Sequence, residues 1–471
     1  MPNLPQVDRE VFGRYAGRSL PRHVSYPMPT WWGPVEADQV VALTAASRAG
    51  QRDLSVYLHI PFCEALCKFC ACNRTIMPRS AGDADQRTQR YVEALCRQIV
   101  PLAASLGASR PVRQIHWGGG TPTYLSCAQI ASIHDALAGA FRIDPHAELA
   151  IEIDPRVTTQ EQLHLLRRLG FNRVSLGVQD FDRQVQHHVR RTQPFEMVKA
   201  TVKACREIGF ASVNFDLIYG MPYQTARSID DLIDRTLELG PDRIAFYHYA
   251  QIPERIATQR GMHHDRMPAA EDRLTMFLAA MARFTGAGYR FIGLDHFALP
   301  TESLARAADR GTLRRNFQGM TTGAGLDVIG LGASAISHFI DRGYLQNVHD
   351  PQAYTERMEQ GHEPVVRGVR LRPDDCIRHA VIEQIYCYAR LDPAPIERRF
   401  GIDFSDHFAT ELRRLSTLEA DGLVRSGAGG VVVLTEPMGR LLMRHVAAVF
   451  DAYLEAEAYR LGENRAFSAS A

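Results

Sequence analysis

Short apolar segments alternate with amphipathic ones across the middle of this 471-residue sequence, and that alternation constrains the fold more than any other feature. Residues 54–60, 114–117, 149–153, 173–177, 212–217, 243–247 and 289–294 read as strands. Residues 89–106, 127–141, 160–169, 195–208 and 229–239 carry the apolar spacing of helices. Gly107, Gly170, Gly209 and Gly240 stand just past helix ends, where a left-handed C-cap favours glycine. Repeated strand–helix units imply a parallel sheet. Right-handed crossovers curl this many units into a full or partial barrel. The expected fold class is therefore α/β, a partial (β/α) TIM-like barrel. The polar residues of interest fall just after strands, at the face where such barrels carry their chemistry.

Around this barrel, assigned to residues 51–300, the sequence changes character. Residues 1–50 hold Pro21-Arg22-His23-Val24-Ser25-Tyr26-Pro27 and Trp31-Trp32 with little periodicity, and read as an extended N-terminal arm or a plain extension. Residues 301–367 break the alternation and read as a barrel extension and connection. Residues 368–471 form a smaller, mainly helical domain. Helices are expected at 376–389, 396–400 and 408–421, a hairpin at 423–435 around Gly427-Ala428-Gly429-Gly430, and a last long helix at 438–461. This order is winged-helix-like. The region lacks a marked basic excess, so a lid or packing role is expected rather than nucleic-acid binding. The Ser/Ala-rich end from Ala466 is expected to fray.

Composition narrows the function classes. Hydrophobic content of 45% and charged content of 23% are those of an ordinary globular protein. A net charge of +1 gives no electrostatic case for nucleic acid or an anionic membrane. No apolar run reaches the length of a membrane span, and residues 1–17 show no signal-peptide core. Nine cysteines, an odd number clustered at one end, argue against a disulfide framework.

Cys63, Cys67 and Cys70 follow the first strand with C-x3-C-x2-C spacing, and Cys72 comes two residues later. Three thiolates this close can hold three irons of a [4Fe–4S] cube and leave the fourth iron open. An open iron can bind S-adenosylmethionine (SAM) through its amino and carboxylate groups and pass it an electron. SAM then splits to methionine and a 5′-deoxyadenosyl radical, chemistry that belongs to the cofactor. Zinc is the competing reading, but it normally wants four ligands in paired groups, and no second C-x2-C pair exists. Such an oxygen-sensitive cluster suits a reducing cytoplasm. Cys72 is a spare ligand, a substrate-side thiol or a small packing residue. Cys96, Cys127, Cys205, Cys376 and Cys387 read as thiols without a role.

Trp117-Gly118-Gly119-Gly120-Thr121-Pro122-Thr123 joins a strand to a helix. Its glycines make either a tight turn or a cradle whose free N–H groups meet a carboxylate. Glu152, Gln179, Arg191 and Asp216 lie near strand ends or in the loops that follow. An acid there can pair with an ammonium or a ribose diol, and an arginine can fork onto a carboxylate. Structural salt bridges are equally open to them. Tyr57 and His59 share one face of the first strand, and His59 reads as a packed histidine before a proton donor or ligand.

Residues 57–73 and 118–123, Ile151-Glu152-Ile153-Asp154-Pro155-Arg156, Gly177-Val178-Gln179-Asp180-Phe181, Asp216-Leu217-Ile218-Tyr219-Gly220 and Asp295-His296-Phe297-Ala298 together resemble oxygen-independent coproporphyrinogen III oxidases. These are radical-SAM enzymes of haem synthesis, also called coproporphyrinogen dehydrogenases. The likeness runs from about Pro21 to about Leu461. It implies a radical-SAM barrel with Cys63, Cys67 and Cys70 as cluster ligands. It also implies two SAM molecules, at positions matching Tyr57, Phe69, Gly119, Gly120, Thr121, Glu152, Gln179, Arg191, Asp216, Ala250 and Ile336. Arg22, Tyr26, Cys72 and Gln318 are placed on the substrate side. The implied reaction removes two propionates of coproporphyrinogen III as CO2 and gives protoporphyrinogen IX. A donor such as flavodoxin or ferredoxin and a monomeric state are expected. Competing readings are a haem-binding carrier of the same family and a haem-degrading radical-SAM methyltransferase. Ala71-Cys72-Asn73 after the third cysteine and the Pro-Arg-x-x-Ser-Tyr-Pro arm are oxidase-like and argue against the carrier. Met320 and Arg314 depart from the tyrosine and histidine common at those positions.

Overall fold

The computed structural model describes residues 5–107 and 109–455. They fall into two compact units. The first is Pro29–Asp216 with Gly325–Leu371, and the second is Met1–Met28, Leu217–Ala324 and Arg372–Ala471.

In the first unit the strands Asp327–Leu331, Leu54–Ile60, Pro111–Gly119, Arg142–Ile153 and Arg173–Gln179 lie side by side in that order, and each neighbouring pair is parallel. Leu54, Val56, Leu58 and Ile60, which share one face of their strand, are fully buried, as expected of a face packed under other elements. Crossover helices Ala84–Leu106, Cys127–Ala140 and Gln160–Arg168 supply that cover. Two of them start at capping boxes, Ser126 with Gln129 and Thr159 with Gln162, which satisfy N–H groups the first turn leaves open. The alternation read from the sequence thus yields the expected α/β fold with a parallel sheet. Beyond Asp327–Leu331 the sheet turns antiparallel through Ile336–Phe339, Gly343–Asn347, Val365–Arg370 and Gly33–Pro34. The irregular stretch after residue 300 therefore contains several short strands.

In the second unit Arg243–His248 pairs antiparallel with His296–Ala298, and this pairs antiparallel with Arg290–Gly293. The last predicted strand, 289–294, is thus one arm of a tight hairpin and not a further parallel strand. Gly293 at φ +157° and Leu294 at φ +52° make the reversal. The helices Pro373–Tyr388, Pro393–Phe400 and Ala409–Ala420 match expectation closely, as does the hairpin register Ser426↔Val432.

Two expectations need correcting. The N-terminal arm is not irregular: it contains helices Arg9–Tyr15 and Ala37–Gly50. The predicted helix over 438–461 is broken into Met438–Leu441, Met443–Ala448 and the 3-10 turn Ala452–Glu455, and 456–461 lie outside the described residues, as does the end from Ala466. The break has a local cause. Asp451 accepts the Tyr453 N–H on its own side chain at 2.9 Å, an Asx turn that competes with helical bonding.

Asp451 also holds His23 of the arm. His23 Nε2 meets Asp451 Oδ2 at 2.9 Å, and Nδ1 lies 3.2 Å from the Tyr386 hydroxyl. Both side chains of the His23–Asp451 pair are almost completely enclosed. His23→Ala strands the Asp451 carboxylate and is expected to cost about 3 kcal/mol in denaturant unfolding. A change below about 0.5 kcal/mol, the range of ordinary surface substitutions, would contradict this role. Among the described residues no helix is long and apolar enough to cross a membrane.

Candidate functional site

The cysteine loop leaves the C-terminal end of the strand Leu54–Ile60 and is pinned at several points. Phe62–Cys63 pairs with Thr75–Ile76, Thr75 N donates to Pro61 O at 2.7 Å, and Met77 N donates to Cys63 O at 2.9 Å. Lys68 N donates to Val189 O at 3.0 Å. These bonds fix the spacing of the three thiols and leave little entropy for a bound group to remove. Cys67 is buried, Cys63 and Cys70 are half-buried, and Cys72 is exposed. Burial pushes the Cys63 thiol up to about 11, against a Thr121 hydroxyl that donates to its sulfur at 3.5 Å. The neighbouring Cys72 thiol brings Cys70 down to about 6, while Cys72 is itself raised by the same contact. Cys67 meets two guanidiniums: Arg191 Nη1 at 3.5 Å and Arg156 Nη2 at 3.6 Å. A sulfur that turns anionic on binding iron finds cationic donors already in place there.

Among the described residues no three His, Cys, Asp or Glu side chains could hold a single metal ion together. A cubane makes a different demand, one thiolate for each of three irons. Mutually neighbouring but non-convergent thiols, backed by hydroxyl and guanidinium donors, fit that demand.

The two arginines are held by Asp154. Arg156 forks onto it at 3.0 and 2.6 Å through Nε and Nη2, and Arg191 Nη1 reaches Oδ2 at 3.1 Å. Burial acts to raise the Asp154 carboxyl, but Arg191 and then Arg156 hold it below its usual value. Arg191 also donates to the Gly177 carbonyl at 2.5 Å. A Cβ at Gly177 would lie 3.0 Å from that guanidinium, so glycine makes the approach possible. Gln179, at the end of its strand, adopts φ +68°, a strained conformation for a side-chain-bearing residue.

Glu152 lies beside the glycine run. Gly119 N donates to its Oε2 at 3.2 Å, and His116 Nε2 stands 3.2 Å from Oε1. Burial acts to raise this carboxyl, and the His116 hydrogen bond is the largest influence that lowers it overall. The His116 ring stacks on Tyr57 at 6.0 Å between centroids, with a 14° interplanar angle. The Tyr57 hydroxyl donates to His59 Nδ1 at 3.1 Å, and His59 Nε2–H donates to the Asn73 carbonyl at 2.9 Å. Burial drives His59 down to about 4, so it is neutral at pH 7 and staples the first strand to the cysteine loop. Asp216 accepts from Ser175 at 2.9 Å and from Asn214 at 3.0 Å.

The family model described as the radical SAM superfamily matches residues 57–236. An oxygen-independent coproporphyrinogen III oxidase from Salmonella typhimurium is 43% identical over 440 residues, covering 93% of this chain and 94% of that protein. This chain belongs to the oxygen-independent coproporphyrinogen III oxidase family. The homologue from Synechocystis sp. is 39% identical over 456 residues, covering 96% of each chain. A solved structure of coproporphyrinogen III oxidase (HemN) from Escherichia coli, described as a radical SAM enzyme, matches with a TM-score of 0.88 at 41% identity, over 96% of this chain and 100% of that one.

Several family positions are packed differently from what sequence suggests. Gly120 was expected to leave room for a ligand, but a Cβ there would lie 2.8 Å from the backbone of Pro61 and Phe62. Its N–H donates to Ile60 O and that of Thr121 to Phe62 O, each at 2.8 Å. This glycine therefore lets two strand ends touch. Gly119, at φ +116°, faces the His59 ring at 2.7 Å from its would-be Cβ. Tyr26, expected on the substrate side, is fully buried, and its hydroxyl accepts the Ala452 N–H at 3.0 Å. It anchors the arm inside the fold. Arg22 pairs with Asp295 at 2.7 Å. Gln318 takes an Asx turn from Asn316 at 2.9 Å, and Ala250 accepts from Gln259 at 3.0 Å. Phe69 and Ile336 are half-buried in the first unit, while Ala250 and Gln318 belong to the second.

The two departures from the family pattern are absorbed by packing. Met320 is buried in an apolar cluster with Ile292, Leu304, Leu313 and Cys387. Arg314 pairs with Glu383 at 3.4 Å and donates to the Tyr388 hydroxyl at 3.2 Å. His116 and Arg156 are the residues that sequence reasoning passed over. A histidine two residues before a glycine-rich turn, on the same strand face as the turn's neighbours, was the available signal for His116.

Proposed function

We propose that this chain converts coproporphyrinogen III to protoporphyrinogen IX without oxygen. Each of two propionate arms loses a hydrogen atom from its β-carbon to the 5′-deoxyadenosyl radical, one electron to an external electron acceptor and its carboxyl as CO2, and becomes a vinyl group. The observation that carries this reading is the three-thiol loop at a barrel strand's C-terminal end, in a chain that matches oxidases of this name over nearly its whole length. Cys63, Cys67 and Cys70 hold the [4Fe–4S] cluster in this reading, with Thr121, Arg156 and Arg191 balancing the charge on the sulfurs. The cluster, once loaded, supplies the electron that splits SAM and so provides the hydrogen-abstracting radical.

The remaining residues bind and orient. Glu152, held by the Gly119 N–H and by His116, presents a carboxylate suited to the ammonium of the methionyl end or to the ribose diol of SAM. Tyr57, Phe69, Gly120, Thr121, Gln179, Arg191, Asp216, Ala250 and Ile336 complete the proposed positions for two SAM molecules. Residues 51–300 act as the radical-SAM barrel, with 1–50, 301–367 and 368–471 as arm, connection and C-terminal domain. A cytoplasmic monomer reduced by a flavodoxin or ferredoxin completes the reading.

Reconstituted protein with a chemical reductant tests it. Release of 5′-deoxyadenosine from SAM should rise when coproporphyrinogen III is added and should not rise with haem. Equal stimulation by haem would favour a haem-processing enzyme instead.

Glu152 gives a second test. His116→Phe keeps a ring against Tyr57 but removes the largest influence lowering the Glu152 carboxyl. Burial then acts unopposed by that bond and the carboxyl rises. A depressed carboxyl is ionised above its folded value and lost as pH falls through it, so the variant should lose its charge at a higher pH. The loss of SAM affinity on acidification should begin at a higher pH than in wild type. Identical affinity–pH profiles for the two proteins would exclude this role.

A further inference from the structure

The second unit contains a cavity of which the assignments above use only Arg22. Arg22, His248, Arg273, Asp295 and Arg444 line it, together with Tyr219. Three guanidiniums thus face one carboxylate. Asp295 is already engaged by Arg22 at 2.7 Å and by His296 at 2.6 Å. Arg273 donates Nη1 to the Pro268 carbonyl at 3.0 Å and pairs with no carboxylate among the described residues. Arg444 is buried and donates to the Leu20 carbonyl.

The arginines act on the same space. His248 is driven down to about 3, first by burial and then by Arg273, Arg22 and Arg444 in turn, so its ring is neutral at pH 7. Its Nε2 has no hydrogen-bond partner among the described residues. Arg444 is pushed down to about 9 by burial and next by Arg22. Gly220, at φ +84°, keeps the space open: a Cβ there would lie 3.0 Å from Arg273 and 3.1 Å from His248. A cation held partly out of water in the field of two others, as Arg273 is beside Arg22 and Arg444, is costly without a counter-anion. A forked carboxylate is the anion that guanidinium geometry matches best.

Size and wall chemistry narrow the ligand. The cavity offers room of about 50 Å³, enough for a carboxylate and part of its stem and too little for a tetrapyrrole. Phe12, Leu274 and Phe277 supply apolar sides for methylene groups.

We propose that this cavity seats one propionate carboxylate of the tetrapyrrole substrate, held by Arg273 and Arg444 with His248 beside it. The inference rests on the oxidase reading and extends it to a specificity-determining pocket. These residues bind and position the substrate and take no part in hydrogen or electron transfer.

The test uses coproporphyrin III, the stable oxidised form of the substrate, titrated into the holoenzyme. Arg273→Met is expected to weaken binding about 10- to 100-fold, one hydrogen bond to a charged group's worth. Arg273→Lys should recover part of the loss. Arg290→Met, which removes an exposed pair with Asp309, serves as a control expected to bind normally. Because Arg273 pairs with no carboxylate among the described residues, Arg273→Met should not lower Tm. A structural arginine would behave otherwise. Affinity within twofold of wild type, or a weakened affinity accompanied by a lowered Tm, would overturn the pocket assignment while wild-type turnover leaves the oxidase reading intact. Free propionate that competes with coproporphyrin III only in proteins retaining Arg273 would support it. Wild-type protein that neither binds coproporphyrin III nor converts coproporphyrinogen III would overturn both.

Discussion

Replacing Cys63, Cys67 or Cys70 with serine is expected to abolish cluster assembly and SAM cleavage together. Each thiolate holds one iron, and a serine hydroxyl is a poor replacement for a soft sulfur ligand. Iron and sulfide contents should fall to background in each variant while the fold persists, because the loop is held by backbone bonds such as Thr75 N to Pro61 O and not by the sulfurs. Cys72→Ser is expected to keep its cluster, because Cys72 is exposed and its nearest polar partner is the Cys70 thiol. Near-full iron and sulfide in the triple serine variant would remove these residues as ligands. A Cys72→Ser protein without iron would make Cys72 one of them.

Gly120→Val should be nearly as damaging, and in a way that separates two explanations for the glycine. If Gly120 merely left space for SAM, valine would weaken SAM binding and spare the cluster. The geometry points elsewhere, since the new Cβ would stand 2.8 Å from the Pro61 and Phe62 backbone that begins the cysteine loop. That backbone cannot swing away as a side-chain tip can. The strand ends must part, at a cost of about 2 kcal/mol for overpacking, and the thiols lose their spacing. Cluster content and SAM affinity are therefore expected to fall in parallel, with a lowered Tm. A folded variant with full iron and weakened SAM binding would restore the simpler explanation.

Much of this was legible in the sequence because its signals are local. Residues 54–60 announce a buried strand by the alternation of Leu54, Val56, Leu58 and Ile60, and Cys63, Cys67 and Cys70 announce their chemistry by spacing. The hairpin that ends the barrel run was missed because 289–294 has a strand's composition, and composition does not tell a parallel neighbour from a returning arm. That choice is made by Gly293 and Leu294, whose backbone conformation is set by the turn. The last helix was overcalled for a related reason. Residues 438–450 keep helical apolarity, yet Asp451 is claimed by His23, a residue more than four hundred positions away in sequence. Tyr26 carries a polar group and lies in a motif, so it read as substrate-facing, but Ala452 satisfies its hydroxyl in the core. The hairpin turns on local backbone geometry, the helix end combines the local Asp451 turn with the distant His23, and Tyr26 is settled by a residue far away in sequence; periodicity reports none of these.

The most direct test of the central claim is an anaerobic single-vessel assay with reconstituted protein, SAM, a limiting reductant, a one-electron acceptor and coproporphyrinogen III labelled at the propionate carboxyls. The account predicts protoporphyrinogen IX with two labelled CO2 released per molecule, and 5′-deoxyadenosine formed alongside it. SAM cleavage without labelled CO2, from protein with a full cluster and bound substrate, would contradict it.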